Sequence, residues 1–542
     1  MFDKHHKKEN PTFTGITRGV GGFGFGAAGA GAGVSDNHWL IKYGDENPYI
    51  DTGDARDNYN ETFHGIAIDS DDNIYAVGTR KFRGSSIQHN FGIVIVKYDK
   101  DGALQWQKSI DNASLGNYND IGFSIALDSS NNVYIAGTID ATQFSGTEDA
   151  YVARFDSNGT FHWDAIYYVS SYASTTYFRD VAVDSSGNIY LTGENGGLCH
   201  TIKLAAGSGN SAPSSSDILF QKYAYSFLSE EAYSLKFDNL GNFYVWGAGS
   251  TQSSNGGCTL YKYTNSGTLS QSTKYKMPTY SSFGSNINYD YGFAGGFPSN
   301  VRWGGSNHLA IDSSNNVYVT QVIRNPNASS RYQVFLLKLN SSGAIQWSKD
   351  FYNSNNNKNV WYPFLTVDSS DNLYITFSTI DDGLPVFAAG ACHILKISSG
   401  GTIQWHNVLH GDQIGKEKQP HAIISKGDNL YIAGSTTKDT YSESVDAFIF
   451  KIPNDGSLTD TSTGKNGSTW NTNTGGYSAS GYEFMYEPYT GGTVDIGSNI
   501  SSMYQDTSAS FNTGNVGSHS YFTSTGSGQP TINLGTEVIN FN

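Results

Sequence analysis

The stretch Ile125-Ala-Leu-Asp-Ser-Ser-Asn-Asn-Val-Tyr-Ile-Ala-Gly137 returns along most of the chain with conservative changes. It reappears as Ile66-Ala-Ile-Asp-Ser-Asp-Asp-Asn-Ile-Tyr-Ala-Val-Gly78, as Val181-Ala-Val-Asp-Ser-Ser-Gly-Asn-Ile-Tyr-Leu-Thr-Gly193 and as Leu309-Ala-Ile-Asp-Ser-Ser-Asn-Asn-Val-Tyr-Val-Thr320. Looser copies run from Leu235 to Gly247, Leu365 to Thr376 and Ile423 to Gly434. In each copy apolar residues alternate with period two on both sides of an Asp/Ser/Asn/Gly turn, the pattern of two short strands joined as a β-hairpin. The turn residues suit that role because their short side chains bond nearby backbone and tolerate left-handed dihedrals.

The turn-exit tyrosines Tyr75, Tyr134, Tyr190, Tyr244, Tyr318, Tyr374 and Tyr431 are spaced by 59, 56, 54, 74, 56 and 57 residues. A second recurring pair lies between them, as in Ile93-Val-Ile-Val-Lys-Tyr-Asp-Lys-Asp-Gly-Ala-Leu-Gln-Trp106 and Tyr151-Val-Ala-Arg-Phe-Asp-Ser-Asn-Gly-Thr-Phe-His-Trp163. Each period therefore holds about four short strands, the content of one propeller blade. The expected fold is an all-β propeller of seven four-stranded blades, with eight left open if the C-terminal part completes another. Residues 1–34 read as a Gly-rich N-terminal arm, 35–460 as the propeller and 461–542 as a C-terminal extension.

These two motifs resemble the bacterial β-propeller repeats that run Asp-Ser-x-Gly-Asn-x-Tyr-x-x-Gly and then Asp-Ala-Phe-x-x-Lys-Tyr-Asp-x-x-Gly-x-x-x-Trp. The resemblance covers about residues 36–458 and implies the fold; such propellers serve many roles. The chain departs from it in the fourth copy, where no Trp follows Leu269, and in the seventh, where Lys426-Gly-Asp replaces the Asp-Ser-Ser turn. Asp99, Gly102 and Trp106 are also similar to the tryptophan-docking motif of quinoprotein propellers, one residue shorter between Asp and Gly, which implies a packing hairpin and no cofactor.

Residues 36–43 look like the second half of a repeat lacking its first half. Eight Lys/Arg strands (Lys42, Lys97, Arg154, Lys203, Lys262, Lys338, Lys396, Lys451) thus face seven hairpins. An N-terminal strand pairing with the last blade would close the ring and remove its open edges. The repeated cation is expected to snorkel or to pair with a turn Asp.

The net charge of −16 argues against a nucleic-acid or anionic-membrane partner, since a phosphate-binding surface needs a basic field. Charged residues make up 15% and aromatics 14%, with 36 Tyr, a polar but weakly charged composition met on extracellular and particle surfaces. Cys199, Cys258 and Cys392 each stand four residues before the repeated Lys and read as small buried hydrophobes. The adjacent pairs Cys199-His200 and Cys392-His393 point to opposite strand faces and make no metal site. Asp69, Asp71 and Asn73 have the look of a calcium loop but lack its Gly and its final Glu, so Asx-turn chemistry is expected and no metal or cofactor.

Gly24, Gly26 and Gly29 match G-x-G-x-x-G without the strand, helix and downstream acid that a dinucleotide site needs. The Gly/Ala run 15–33 lacks the Leu or Val density of a secretory signal, and no stretch is long and apolar enough for a membrane-spanning helix. No nucleophile elbow, HExxH or P-loop occurs. The expectation is therefore a non-enzyme; His, Arg and Asp clustered around one channel mouth would revive an enzymatic reading.

Departures from the repeat mark candidate contact regions. The long fourth interval carries an insertion near Lys276 to Gly305 with Tyr280, Phe283, Tyr289, Tyr291, Phe293, Phe297 and Trp303, rigid aromatic surface suited to a sugar face or a protein. Phe23 and Phe25 in the N-terminal arm, and Trp470, Tyr482, Phe484 and Tyr486 in the extension, are candidates for assembly contacts. The leader Phe13-Thr-Gly-Ile-Thr-Arg-Gly-Val-Gly-Gly-Phe-Gly-Phe-Gly26 looks like Gly-rich leaders of marine phage structural proteins. Together these features suggest a bacteriophage virion protein, a tail or capsid propeller in a larger assembly. Its terminal arms would touch other virion proteins and its surface a host glycan or protein. The alternative is a secreted or cell-surface bacterial adhesion propeller.

Overall fold

A computed structural model describes residues 38–43, most of 61–458 apart from connectors between strands, and six short strands between 485 and 540. Seven sheets of antiparallel strands stand around one axis. The inner strands of blades one to seven are Glu61–Ile68, Ile121–Leu127, Thr176–Val183, Ser229–Phe237, Leu309–Ile311, Lys358–Val367 and Lys418–Lys426, and each contacts the inner strand of the next, the seventh returning to the first. The outer strands of blades one to six are Leu104–Ile110, Phe161–Val169, Ile218–Tyr225, Leu269–Lys276, Ile345–Asn353 and Ile403–His410. Blade seven takes its outer strand from the other end of the chain: Trp39–Tyr43 pairs with Val445–Pro453, Ile41 opposite Ile449. The ring is thus seven-bladed and closed by its N-terminal strand.

The core lies between successive blades. Val77, Ile93 and Ile95 of blade one, for example, pack on Ile125, Val133 and Ile135 of blade two. Cys199, Cys258 and Cys392 are free thiols buried in these layers. Burial pushes all three up, Cys392 to about 12, so they are inert at neutral pH.

The repeated turn follows from one carboxylate. Asp69 Oδ1 accepts the amides of Asp71 and Asn73 at 3.0 and 2.9 Å, while the Tyr75 hydroxyl donates to Oδ2 at 3.1 Å. Asp128, Asp184, Asp312 and Asp368 repeat the arrangement. This is why Asp, Asn and Tyr recur at that spacing, and why Asp72, Asn131, Asn315 and Asp371 adopt positive φ in the turn.

The second motif joins neighbours. Trp106 Nε1 and Lys97 Nζ of blade one both donate to the Ser157 carbonyl in the outer hairpin of blade two, each at 3.0 Å. Trp347 and Lys338 do the same to Ser399 at 3.1 and 2.9 Å, and Trp39 and Lys451 close the ring on Lys100 at 3.3 and 3.2 Å. The turn glycine lies flat against the indole: a Cβ on Gly159, whose φ is +78°, would stand 2.8 Å from Trp106. The repeated Lys also approaches its own blade's turn Asp, as Lys338 does Asp312 at 3.6 Å. Blade four, which lacks the Trp, substitutes Tyr275, whose hydroxyl donates to the Gly343 carbonyl at 2.5 Å. The motif is a blade-to-blade clamp. Trp347→Phe should keep the fold and cost about 1 kcal/mol in urea unfolding, the value of one lost hydrogen bond with the aromatic packing kept; a loss near zero would remove the indole bond from the clamp.

The C-terminal extension supplies fifth strands. Met485–Pro488 pairs with the outer strand of blade six, Val494–Ser498 with five, Tyr504–Asp506 with four, Asn512–Gly514 with three and Ser520–Thr523 with two. Thr536–Asn540 then pairs with Trp39–Tyr43 in blade seven. The extension runs round the rim against the direction of the repeats, so its described strands lie on the chain's own blades and not on an arm reaching away from them.

Candidate functional site: the central axis

Six of the seven inner strands, all but Leu309–Ile311 of blade five, carry a small irregularity where they face the axis. The register slips between Phe63 and Gly65, Gly122 and Ser124, Phe178 and Asp180, Ala232 and Ser234, Trp361 and Phe364, and Pro420 and Ala422. A bulge re-aims the skipped side chain, and here the skipped residues include His64, Phe123, Arg179, Tyr233 and His421.

They meet one another. His64 lies 5.4 Å from His421 and 6.1 Å from Phe123, ring centre to ring centre. The Arg179 guanidinium sits 4.5, 4.8 and 5.7 Å from the rings of Phe123, Tyr177 and Tyr233. Tyr233 continues to His308 at 5.5 Å, His308 to Phe364 at 5.0 Å, and Phe364 to His421 at 6.3 Å. The circuit returns to its start. Ser306 Oγ of blade five reaches Ser124 Oγ of blade two at 3.2 Å, spanning the axis. All these side chains are buried.

The polar members bond within the plug. Asp180 Oδ1 accepts from Ser124 Oγ at 2.7 Å, and Oδ2 accepts from the Leu235 amide at 2.8 Å and Lys236 Nζ at 3.3 Å, so one carboxylate ties blades two, three and four. Arg179 pairs with Glu231 at 3.3 Å. His421 Nε2 is 3.1 Å from Ser435 Oγ and His64 Nε2 3.3 Å from Thr79 Oγ1. Burial pushes His421 down to about 3, and burial together with His421 and Arg179 holds His64 well below the usual range. At neutral pH both rings are neutral and weak proton acceptors.

His, Arg and Asp therefore do cluster on the axis, the condition under which an enzymatic reading revives. Asp180 and Arg179 bond to neighbouring blades, while His64 and His421 bond the second strand of their own blade, and as arranged the cluster packs and orders the ring. The sequence signal for it is a column five residues before the turn Asp, where His64, Phe123, Arg179 and Tyr233 interrupt the apolar alternation.

Of the residues singled out from sequence as contact candidates, Tyr486 alone lies within a described strand. Tyr280, Phe283, Tyr289, Tyr291, Phe293, Phe297 and Trp303 fall outside the described residues, as do Phe23, Phe25, Trp470, Tyr482 and Phe484. Flanking the insertion, Lys276 ends the outer strand of blade four and Ser306 sits on the axis. Tyr486 lies in the fifth strand of blade six, opposite Leu409. Among the described residues there is no group of three or more His, Cys, Asp or Glu arranged to hold a metal, and no helix long and apolar enough to cross a membrane.

The chain is a seven-bladed β-propeller built from sequence repeats. No family model matches it. A WD repeat-containing protein L264 of Acanthamoeba polyphaga mimivirus is 25% identical over 152 residues, which are 24% of this chain and 10% of that protein's length. Similar solved structures include a protein from Lactobacillus plantarum (11% identity, TM-score 0.34, covering 75% of this chain and 94% of that one) and the extracellular domains of Drosophila Semaphorin 1b (7%, 0.34, 73% and 88%). An exo-beta-1,3-galactanase from Phanerochaete chrysosporium is a third (11%, 0.29, 76% and 96%). The strand pairings define the fold without them.

Proposed function

We propose that the protein is a non-enzymatic structural and contact module of a bacteriophage particle, a propeller displayed on tail or capsid. The observation that carries the non-enzymatic part is the filled axis, where His64, Phe123, Arg179, Tyr233, His308, Phe364 and His421 occupy the place in which a propeller would hold a substrate or cofactor. Contact then falls to the connectors, and foremost to the aromatic insertion between Lys276 and Ser306, the natural surface for a host glycan or protein. The particle reading is supported by the weakly charged, Tyr-rich composition and the Gly-rich leader. Because the C-terminal strands lie on the chain's own blades, the anchoring role is assigned to the N-terminal Gly-rich segment.

Immunogold electron microscopy on gradient-purified phage particles tests this. The expected result is regular labelling at one site on the particle that survives high salt, lost when residues 1–34 are deleted. Recovery in the host cell-surface fraction with none on particles would establish the adhesion reading instead. Depolymerisation of a polysaccharide that disappears in Arg179→Ala would establish an enzyme, which the His, Arg and Asp cluster on the axis keeps as the second reading.

A further inference from the structure

The extension caps six blades in strict ring order and passes one by. Its strands lie on blades six, five, four, three and two and then on seven; blade one, between two and seven, keeps four strands among the described residues. The spacing singles out the same place. The four gaps between the first five strands are five residues each, whereas twelve, residues 524–535, separate Ser520–Thr523 from Thr536–Asn540. The strand starts advance by eight to ten residues per blade and then by sixteen, two steps of eight.

A sheet edge exposes a row of backbone donors and acceptors, and six of seven equivalent edges here are covered by one continuous device. Elsewhere the added strand sits a few residues beyond the clamp residue: Lys349–Asn353 beyond Trp347, Asn407–His410 beyond Trp405, Ile166–Val169 beyond Trp163. In blade one the corresponding stretch begins at Lys108–Ile110, beyond Trp106.

We propose that the outer edge of blade one at Lys108–Ile110 is a strand-docking site whose occupant is the segment 524–535 of the same chain, centred near Gln529. Twelve residues accommodate a three-residue strand over 528–530 with spacers of four and five residues on either side. Pro530 suits an outermost strand, where a backbone position facing solvent needs no donor. The belt so completed covers the outward edge of every blade, which goes beyond the particle role and is independent of it.

The test is disulfide trapping in the full-length chain. Ser109→Cys is combined in turn with Cys at Gly528, Gln529, Pro530 and Thr531, and each pair is oxidised and analysed by non-reducing mass spectrometry. Lys349→Cys with Ser498→Cys, neighbours across blade five and the belt, is the reference pair. Cysteines facing each other on antiparallel strands meet disulfide geometry. The expected result is an intramolecular cross-link at monomer mass for the reference and for at least one Ser109 pair. The proposal is overturned if the reference links and no Ser109 pair does. It is equally overturned if Ser109 links only at twice the monomer mass, which would place a second copy on the edge, or if the reference itself fails, which would remove the belt.

Discussion

Gly137→Ala should unfold the propeller or lower its stability by about 4 kcal/mol, among the largest single-site losses this fold can show. Five of the seven copies end in Gly, at 78, 137, 193, 247 and 434, where the second strand runs against the bulge of the first; Gln321 and Phe377 hold that place in blades five and six. A Cβ on Gly137 would stand 2.0 Å from the Ile121 carbonyl oxygen; on Gly78 it would stand 1.8 Å from Thr62 O, and on Gly193 2.0 Å from Tyr177 O. The obstruction is backbone, which no rotamer change relieves, so the inner strand must shift and the axial plug with it. Gly427→Asn is the control: nothing lies within 4 Å of the added atom and its φ of +56° is one that Asn tolerates, so that variant should melt close to the parent. Thermal and urea unfolding of the two variants side by side decides the matter. Equal small losses would mean that the bulge gives way and that Gly137 is not required by it.

The same glycines show how far the sequence reaches. Strand alternation, the Asp turn and the Lys/Trp hairpin are local chemistry that recurs with few departures, so the blades could be read directly, while their number stayed at seven or eight until the closing strand was placed. Within the half repeat at 36–43, Trp39–Tyr43 is the closing strand, because a ring cannot leave that edge open. The axis was not legible in the same way. His64, Phe123, Arg179, Tyr233 and His421 share a column, but what makes them meet is the bulge, and a bulge is a slip in pairing that no single strand records. The extension looks like an arm in sequence for similar reasons: its strands are short and rich in Ser, Thr and Gly, and their order around the rim is a property of the ring. That Tyr486 stands opposite Leu409 follows only once blade six exists.

Acid should unfold this protein well above the carboxylate range, and the buried histidines set where. Burial pushes His421 down to about 3 and His200 and His406 to about 4, and holds His64 and His393 well below the usual value. A histidine kept neutral in the fold takes up its proton in the unfolded chain near pH 6.5, so the unfolded state binds more protons and stability falls as pH drops below 6.5. At pH 4.5 one such ring costs roughly 2–3 kcal/mol, and several together exceed much of the stability of an ordinary domain. The turn acids act lower. Burial raises Asp69, Asp184 and Asp368, but their hydrogen bonds, led by those from Asn73, Asn188 and Asn372, outweigh it and hold them below 3.8, so their contribution is present above that value and fades only beneath it. Between pH 6.5 and 4.5 the histidines therefore dominate. Inside the axial plug Arg179 faces His64, which makes a second positive charge there more costly still. The double variant His64→Asn with His421→Asn keeps polar side chains beside Thr79 and Ser435 and cannot titrate. Its melting temperature at pH 7 is expected to be lower than the parent's, yet to fall by less between pH 7 and 4.5, the remaining fall coming from His200, His393 and His406, so the two curves should converge. Parallel curves over that range would show that the axial histidines accept protons without cost, and with that the description of the axis as a buried, mutually packed plug would fail.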